Sequence, residues 1–236
     1  MTAPDSPVAL ITGASGNLGR ATALALAQAG MRLVLAVSPR QPCPVFEDLP
    51  PSTGKLIVPV ELTDPTAVAN LVMQTGERFG GLQILIHLAG GFSMGPALHE
   101  TTPDDWQRMF DVNLRSLFEI CRAAVPAMLT AGWGRIVTIS ARAAREGRAQ
   151  MGPYCAAKAS VITLTETLSA ELKHQGITAN CLLPGTIDTP QNRSAMPDAD
   201  TTLWVPPAGI AAVIRFLVSE EAAFVTGAAI PVYGKG

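Results

Sequence analysis

Tyr154 and Lys158 stand four residues apart, a spacing that puts two side chains on the same face of a helix. A free phenol titrates near about 10, too high to exchange protons readily at neutral pH, and a nearby ammonium favours the phenolate. Such a pair can act as a general acid towards an alkoxide or a general base towards an alcohol. Chance also produces Tyr-x-x-x-Lys, so the pair needs partners. Ser140 lies fourteen positions before Tyr154, at the end of the apolar run Arg135 to Ile139. A hydroxyl there sits at the carboxyl edge of a strand, where open α/β sheets bind ligands. Asn113, in Phe110-Asp111-Val112-Asn113-Leu114, is a poor choice inside a helix unless something uses its amide. A satisfied helix amide is the plainer alternative.

A second group of residues suits phosphate. Thr12-Gly13-Ala14-Ser15-Gly16-Asn17-Leu18-Gly19 joins an apolar run to a segment rich in Ala and Leu. Glycines at a strand-to-helix turn permit tight curvature and let a pyrophosphate approach the helix amides. A purely structural turn has the same composition, and the position after a first strand favours the nucleotide reading.

These residues require a particular frame. Seven short runs are apolar almost throughout: Val8 to Thr12, Arg32 to Val37, Leu56 to Val60, Ile84 to Ala89, Arg135 to Ser140, Ile177 to Leu183 and Ala228 to Val232. Uninterrupted apolar runs suit a parallel sheet covered on both faces. Between them lie helix-like segments at Leu18 to Ala29, Thr66 to Phe79, Pro103 to Thr130, Tyr154 to Gln175 and Pro207 to Phe224. The expectation is an α/β fold of Rossmann type: a doubly wound parallel sheet of about seven strands in three α/β/α layers. With no repeat, linker or composition break, residues 1–236 read as a single domain. Pro39, Pro42, Pro44, Pro50 and Pro51 predict a loop between the second and third strands. Thr186 to Pro206 is polar and aperiodic, a mobile lid or an ordinary surface loop.

Composition narrows the partners. The chain has 236 residues, 48% hydrophobic and 15% charged, with a formal charge of −2. That balance supplies no basic field for a nucleic acid. No apolar run reaches the roughly 18 residues of a membrane span, and Met1-Thr2-Ala3-Pro4-Asp5 lacks the features of an export signal. A cytoplasmic protein is expected. Cys43, Cys121, Cys155 and Cys181 are far apart and form no metal or disulfide pattern, reading instead as small buried hydrophobes. His99 and His174 have no ligand-like partners. Arg142, Arg145 and Arg148 follow Ser140 and read either as an anion-attracting cluster or as solvated loop charges. Met94, Met151 and Met196 are candidates to line an apolar pocket, and Asp188 reads as a loop residue.

The ordered set of the glycine turn, Leu88-Ala89-Gly90, Asn113, Ser140, Tyr154 with Lys158, and Pro184-Gly185-Thr186-Ile187-Asp188-Thr189 resembles the compact branch of the short-chain dehydrogenase/reductase family over essentially the whole chain. The resemblance implies an NAD(P)-dependent oxidoreductase interconverting a secondary alcohol and a ketone, with a 3-oxoacyl, steroid-like or other small carbonyl substrate. It implies that Tyr154 transfers the proton and Ser140 orients the substrate oxygen. Lys158 would lower the Tyr154 pKa and hold the nicotinamide ribose, and Asn113 would keep a water in the proton relay. Gly13, Ser15, Asn17 and Leu18 would cradle the pyrophosphate, with Ala89 and Gly90 near the adenine ribose and Glu61 and Leu62 beside adenine. Pro184, Gly185 and Ile187 would fix the carboxamide, and Thr189 would reach the amide or phosphate. Dimers or tetramers built through the segments Pro103 to Thr130 and Tyr154 to Gln175 are also implied, a homotetramer above all.

Several positions depart from the family pattern. Asn17 stands where the middle glycine of the turn would be, His87-Leu88 replaces an Asn-Asn pair, and prolines replace the helix after the second strand. His87 reads as a packed strand residue. The second strand ends in Val37-Ser38-Pro39-Arg40 instead of an acidic residue, so the usual NAD selector is absent. Ser38 and Arg40 suit a 2′-phosphate, which favours NADP(H) over NAD(H), with a solvated arginine as the competing reading. The altered turn and His87-Leu88 motivate a second hypothesis, a dinucleotide-binding regulatory protein without turnover.

Overall fold

A computed structural model describes residues 6–40 and 45–236. Met1 to Asp5, Pro42, Cys43 and Pro44 lie outside the described residues. Seven strands form one parallel sheet: β1 (Val8–Thr12), β2 (Arg32–Val37), β3 (Lys55–Pro59), β4 (Ile84–His87), β5 (Gly134–Ile139), β6 (Ile177–Pro184) and β7 (Ala229–Val232). Their spatial order is β3-β2-β1-β4-β5-β6-β7, the doubly wound arrangement expected.

Alternation along the strands divides the core into two layers. Val8 and Leu10 of β1 face α2 (Pro65–Phe79), α4 (Ser116–Ala131) and α5 (Gly152–Leu172), through residues such as Leu71, Ile120 and Val161. Ala9 and Ile11 face α1 (Asn17–Gln28) and α7 (Pro207–Leu217), through Leu26 and Ile214. Helix limits follow local chemistry. Asp64 accepts from the Thr66 and Ala67 amides at the start of α2, and Gly80 ends that helix at φ 81°. Thr102 caps α3 (Pro103–Phe110) by accepting from the Asp105 amide.

Three segments differ from the sequence expectation. The run Pro103 to Thr130 is not one helix, because a π turn at Asp111–Arg115 joins α3 to α4 and contains Asn113. Thr186 to Pro206 is not wholly irregular: it contains α6 (Pro190–Ala195) and a 3₁₀ turn at Thr201–Leu203, and Ile187 bridges Val205. The final helix stops at Leu217, with a separate 3₁₀ turn at Glu220–Ala222. The described part of the proline-rich connection carries no helix, as its prolines require.

Candidate active site

Because all strands run the same way, Thr12, Val37, His87, Ile139 and Pro184 bring the following loops to one edge of the sheet. Gly13 turns there at φ +66°, and a Cβ on it would lie 2.9 Å from the Ala89 nitrogen. The turn thus presses against the loop after β4, and only glycine fits. Helix α1 begins at Gly16 without any side-chain cap, so its first amides are left for another acceptor. Beside this turn is a cavity of about 570 Å³. It gathers eight of the expected cofactor residues: Gly13, Ser15, Ser38, Arg40, Glu61, Leu62, Ala89 and Gly90.

Two of these hold each other. Arg40 donates to Glu61 at 2.7 Å, and Glu61 also accepts from the Thr63 hydroxyl at 2.9 Å. Partial burial opposes ionisation of Glu61, yet the Thr63 hydrogen bonds and the Arg40 charge hold its carboxyl below the usual range. Asn17 is engaged elsewhere: its amide donates to Gln191 of α6 at 2.8 Å, linking the glycine turn to the segment over the site. Leu18 packs its side chain against the core, so only its main chain can serve a ligand. After β6, a Cβ on Gly185 would lie 2.8 Å from the Tyr233 carbonyl. Thr189 caps α6 by accepting from the Asn192 amide at 3.1 Å, which keeps its own proton available, and Ile187 accepts from the Asn192 side chain at 2.8 Å.

Tyr154 lies in the first turn of α5, its ring edge-on to Phe92 with centroids 5.1 Å apart. Burial, with a smaller contribution from Cys155, pushes its phenol up to about 12. Lys158 is 6% exposed, and its Nζ donates to the Ile139 carbonyl at 3.0 Å. Burial lowers this ammonium to about 8. In both groups desolvation is the largest cause of the shift, and for Tyr154 it acts opposite to the lowering that the family resemblance implies. Gly90 brings the two sides of the site together, since a Cβ on it would lie 2.7 Å from Asn113 Oδ1 and 3.0 Å from Lys158 Nζ.

Two further candidates have partners within the fold. Ser140 is 3% exposed, and its hydroxyl donates to the Lys158 carbonyl at 2.6 Å. Its proton fastens α5 to the end of β5. The next residue, Ala141, is extended at φ −159° and ψ 159°, so the opposite side of the chain presents only a methyl group. Asn113 is 1% exposed, accepts from the Gly91 amide at 3.1 Å, and donates to the Gly91 and Met109 carbonyls at 3.0 Å each. Its carboxamide braces the loop after β4.

The remaining candidates divide clearly. Glu146 pairs with Arg142 at 3.0 Å and with Arg148 at 2.9 Å, so one carboxylate is shared by two of the three arginines and offsets one of their charges. Asp188 pairs with Arg193 at 2.6 Å, the loop role expected. Cys121 and Cys181 are buried and Cys155 is half-buried. Among the described residues, no His, Cys, Asp or Glu cluster suits a metal, and no helix is long and apolar enough to cross a membrane. Sequence reasoning passed over Phe92, Gln191 and Ser116. Phe92 alone carried a signal, an aromatic directly after Gly90-Gly91.

Comparison with known proteins extends this picture. Residues 13–234 match the family model described as enoyl-(acyl carrier protein) reductase. A 3-oxoacyl-[acyl-carrier-protein] reductase of Synechocystis is 35% identical, aligned over 99% of this chain and 98% of its own. The corresponding Escherichia coli reductase is 31% identical over 98% and 97%. Among solved structures, carveol dehydrogenase from Mycobacterium avium in complex with NAD superimposes with a TM-score of 0.85 at 28% identity, covering 97% of this chain and 96% of that one.

Proposed function

The chain belongs to the short-chain dehydrogenase/reductase family, and from that premise we propose that it interconverts a secondary alcohol and a ketone, with Tyr154 moving the proton. Membership makes it an NAD(P)-dependent oxidoreductase acting on CH–OH groups. The observation that carries the finer reading is the approach of Lys158 and Asn113 to Gly90 beside the glycine turn, with Tyr154 one turn before Lys158 on α5 and its ring against Phe92.

The cradle suits a nicotinamide dinucleotide. Uncapped α1 amides and the Gly13 turn would take the pyrophosphate, Ser38, Arg40, Glu61 and Leu62 the adenosine, and the Pro184–Thr189 segment the carboxamide. When bound, that cofactor supplies the hydride chemistry. The protein manages the proton. The Tyr154 phenol is protonated at neutral pH, the form that gives a proton to the oxygen of a carbonyl under reduction, and burial in the free protein makes it a weaker acid than an ordinary phenol. Lys158, with one of its three donors on the Ile139 carbonyl, has others to offer a ribose hydroxyl.

The named activities of relatives favour a 3-oxoacyl thioester over the steroid-like alternative, with exposed Phe92 against the Tyr154 ring as an apolar wall. Ser38 and Arg40 support NADP(H) over NAD(H), and the Arg40–Glu61 pair makes that preference small. We read residues 1–236 as one catalytic unit of a cytoplasmic homotetramer, with a homodimer the alternative. Its contact face would be an apolar groove of about 700 Å³ between α5 and the junction of α3, the π turn and the start of α4.

Tyr154→Phe tests the mechanism. It removes the exchangeable proton and keeps the ring. Reduction of 3-oxoacyl thioesters and small ketones, followed through NAD(P)H absorbance, should fall at least about a hundredfold. Fluorescence titration should find dinucleotide affinity nearly unchanged. Wild-type turnover in this variant refutes the assignment.

A further inference from the structure

Strand β4 ends in a histidine that the proton chemistry above does not use. His87 is 2% exposed at the middle of the sheet. Thr12 Oγ1 lies 3.0 Å from its Nδ1, and Ser116 Oγ lies 3.3 Å from its Nε2.

The other bonds of these hydroxyls fix the direction of each contact. Ser116 donates its proton to the Val112 carbonyl at 2.8 Å, so its oxygen accepts from His87 Nε2–H. A neutral ring with its proton on Nε2 accepts at Nδ1, and Thr12 therefore donates there. The Thr12 oxygen in turn accepts from the Ala89 amide at 3.2 Å. One directed chain results, running from Ala89 N–H through Thr12, His87 and Ser116 to the Val112 carbonyl, and every link has both its donor and its acceptor. Burial, reinforced by the Lys158 charge, holds the imidazole down to about 3, so the ring is neutral.

Both ends of the chain reach the site. Ala89 precedes Gly90, which packs against Asn113 and Lys158, and Val112 precedes Asn113 in the π turn. Thr12 leads directly into the Gly13 turn, while Val112 and Ser116 border the same cavity as Gly13.

We propose that His87 is a positioning residue of the oxidoreductase site, holding the dinucleotide-side loop through Nδ1 and the π turn of Asn113 through Nε2. The proposal rests on the function argued above. It assigns separate work to the two nitrogens: the Thr12 side sets dinucleotide binding, and the Ser116 side sets the alignment of Asn113 and Lys158 for turnover.

Two substitutions separate them. An asparagine amide reaches the place of Nδ1, and a glutamine amide the place of Nε2. His87→Gln should weaken dinucleotide binding by about threefold to tenfold, the range of one hydrogen bond, with kcat within about twofold. His87→Asn should do the reverse, with kcat down by about threefold to tenfold and dinucleotide Kd within about twofold. Thr12→Val should reproduce the first pattern and Ser116→Ala the second, so the test survives if the ring variants fail to fold. ¹⁵N NMR of the wild-type imidazole should find the neutral Nε2–H tautomer. The proposal is overturned if both sides shift Kd and kcat together, if only melting temperature changes, or if the proton resides on Nδ1. Wild-type protein that neither binds nor oxidises NAD(P)H would instead refute the oxidoreductase reading.

Discussion

Replacing Lys158 with methionine should make the free protein more stable while destroying its activity. The ammonium is lowered from its ordinary 10.5 to about 8 by burial. At 1.36 kcal/mol per pH unit, the difference of 2.5 corresponds to a penalty of about 3 kcal/mol for carrying the charge in the folded state. The sign follows from proton counting: between pH 8 and 10.5 the unfolded chain holds a proton that the folded one has released, so the penalty is complete below about 8 and gone above about 10.5. Methionine keeps most of the aliphatic length but loses the bond to the Ile139 carbonyl, a term of about 1 kcal/mol against the variant. Lys158→Met should therefore gain about 2 kcal/mol at pH 7. Urea unfolding in the absence of dinucleotide, repeated from pH 7 to 10.5, measures it. The advantage should shrink as pH rises through 8 and reverse near 10.5. A variant less stable at pH 7, or an advantage independent of pH, refutes the account of Lys158 as a charge held at a cost.

Other perturbations address separate parts of the site. Glu61→Gln should release Arg40 and raise the affinity ratio of NADPH to NADH by up to about fivefold, with Arg40→Ala lowering it; fluorescence titrations that find the ratio constant in both variants refute this role of the pair. Asn17→Gly breaks the bond to Gln191 and should speed hydrogen exchange across residues 186–206 in the free protein, whereas unchanged exchange would leave that bond without a role in holding the segment. Phe118, 50% exposed in the groove that α5 forms with α3, the π turn and the start of α4, should sit in a subunit contact, so Phe118→Arg should yield monomers by light scattering; a wild-type monomer at micromolar concentration would eliminate the contact.

The frame was legible because its signals are local. Val8 to Thr12 and Ile177 to Leu183 are apolar at nearly every position, and both became fully buried strands within one residue of the expected limits. Gly13 was legible for a similar reason, since a turn after the first strand leaves glycine little alternative. The site itself depended on longer-range facts. Ser140 and Ala141 are adjacent, and only the pairing of the Ser140 amide with the Leu182 carbonyl decides which side each faces. The π turn was invisible because its i to i+5 bonds arise where Asn113 and Ser116 find partners in the loop after β4 and in β4 itself. The direction of Arg40 required Glu61, twenty-one residues away. The Tyr154 phenol was expected to fall because an ammonium is near in sequence, and it rises because burial removes water from both groups.

The polar residues at this edge are unequal in what they demand of the fold. Thr12, His87, Asn113 and Ser140 are each at most 3% exposed, but all are neutral in the folded state and hydrogen-bonded. Such groups contribute a modest net stability, about 1 kcal/mol per bond, once paired. Of these residues Lys158 alone carries a charge, and it donates to one main-chain carbonyl, that of Ile139. An ammonium has three donors, so it sits beside Gly90 with hydrogen-bonding capacity that the protein does not fill. A ligand hydroxyl that accepts there would favour the charged form and raise the Lys158 pKa back towards 10.5, offsetting the desolvation that the free protein carries. The instability at Lys158 is then a source of binding energy, because the term that weakens the free fold is the one a correctly placed ribose oxygen would relieve.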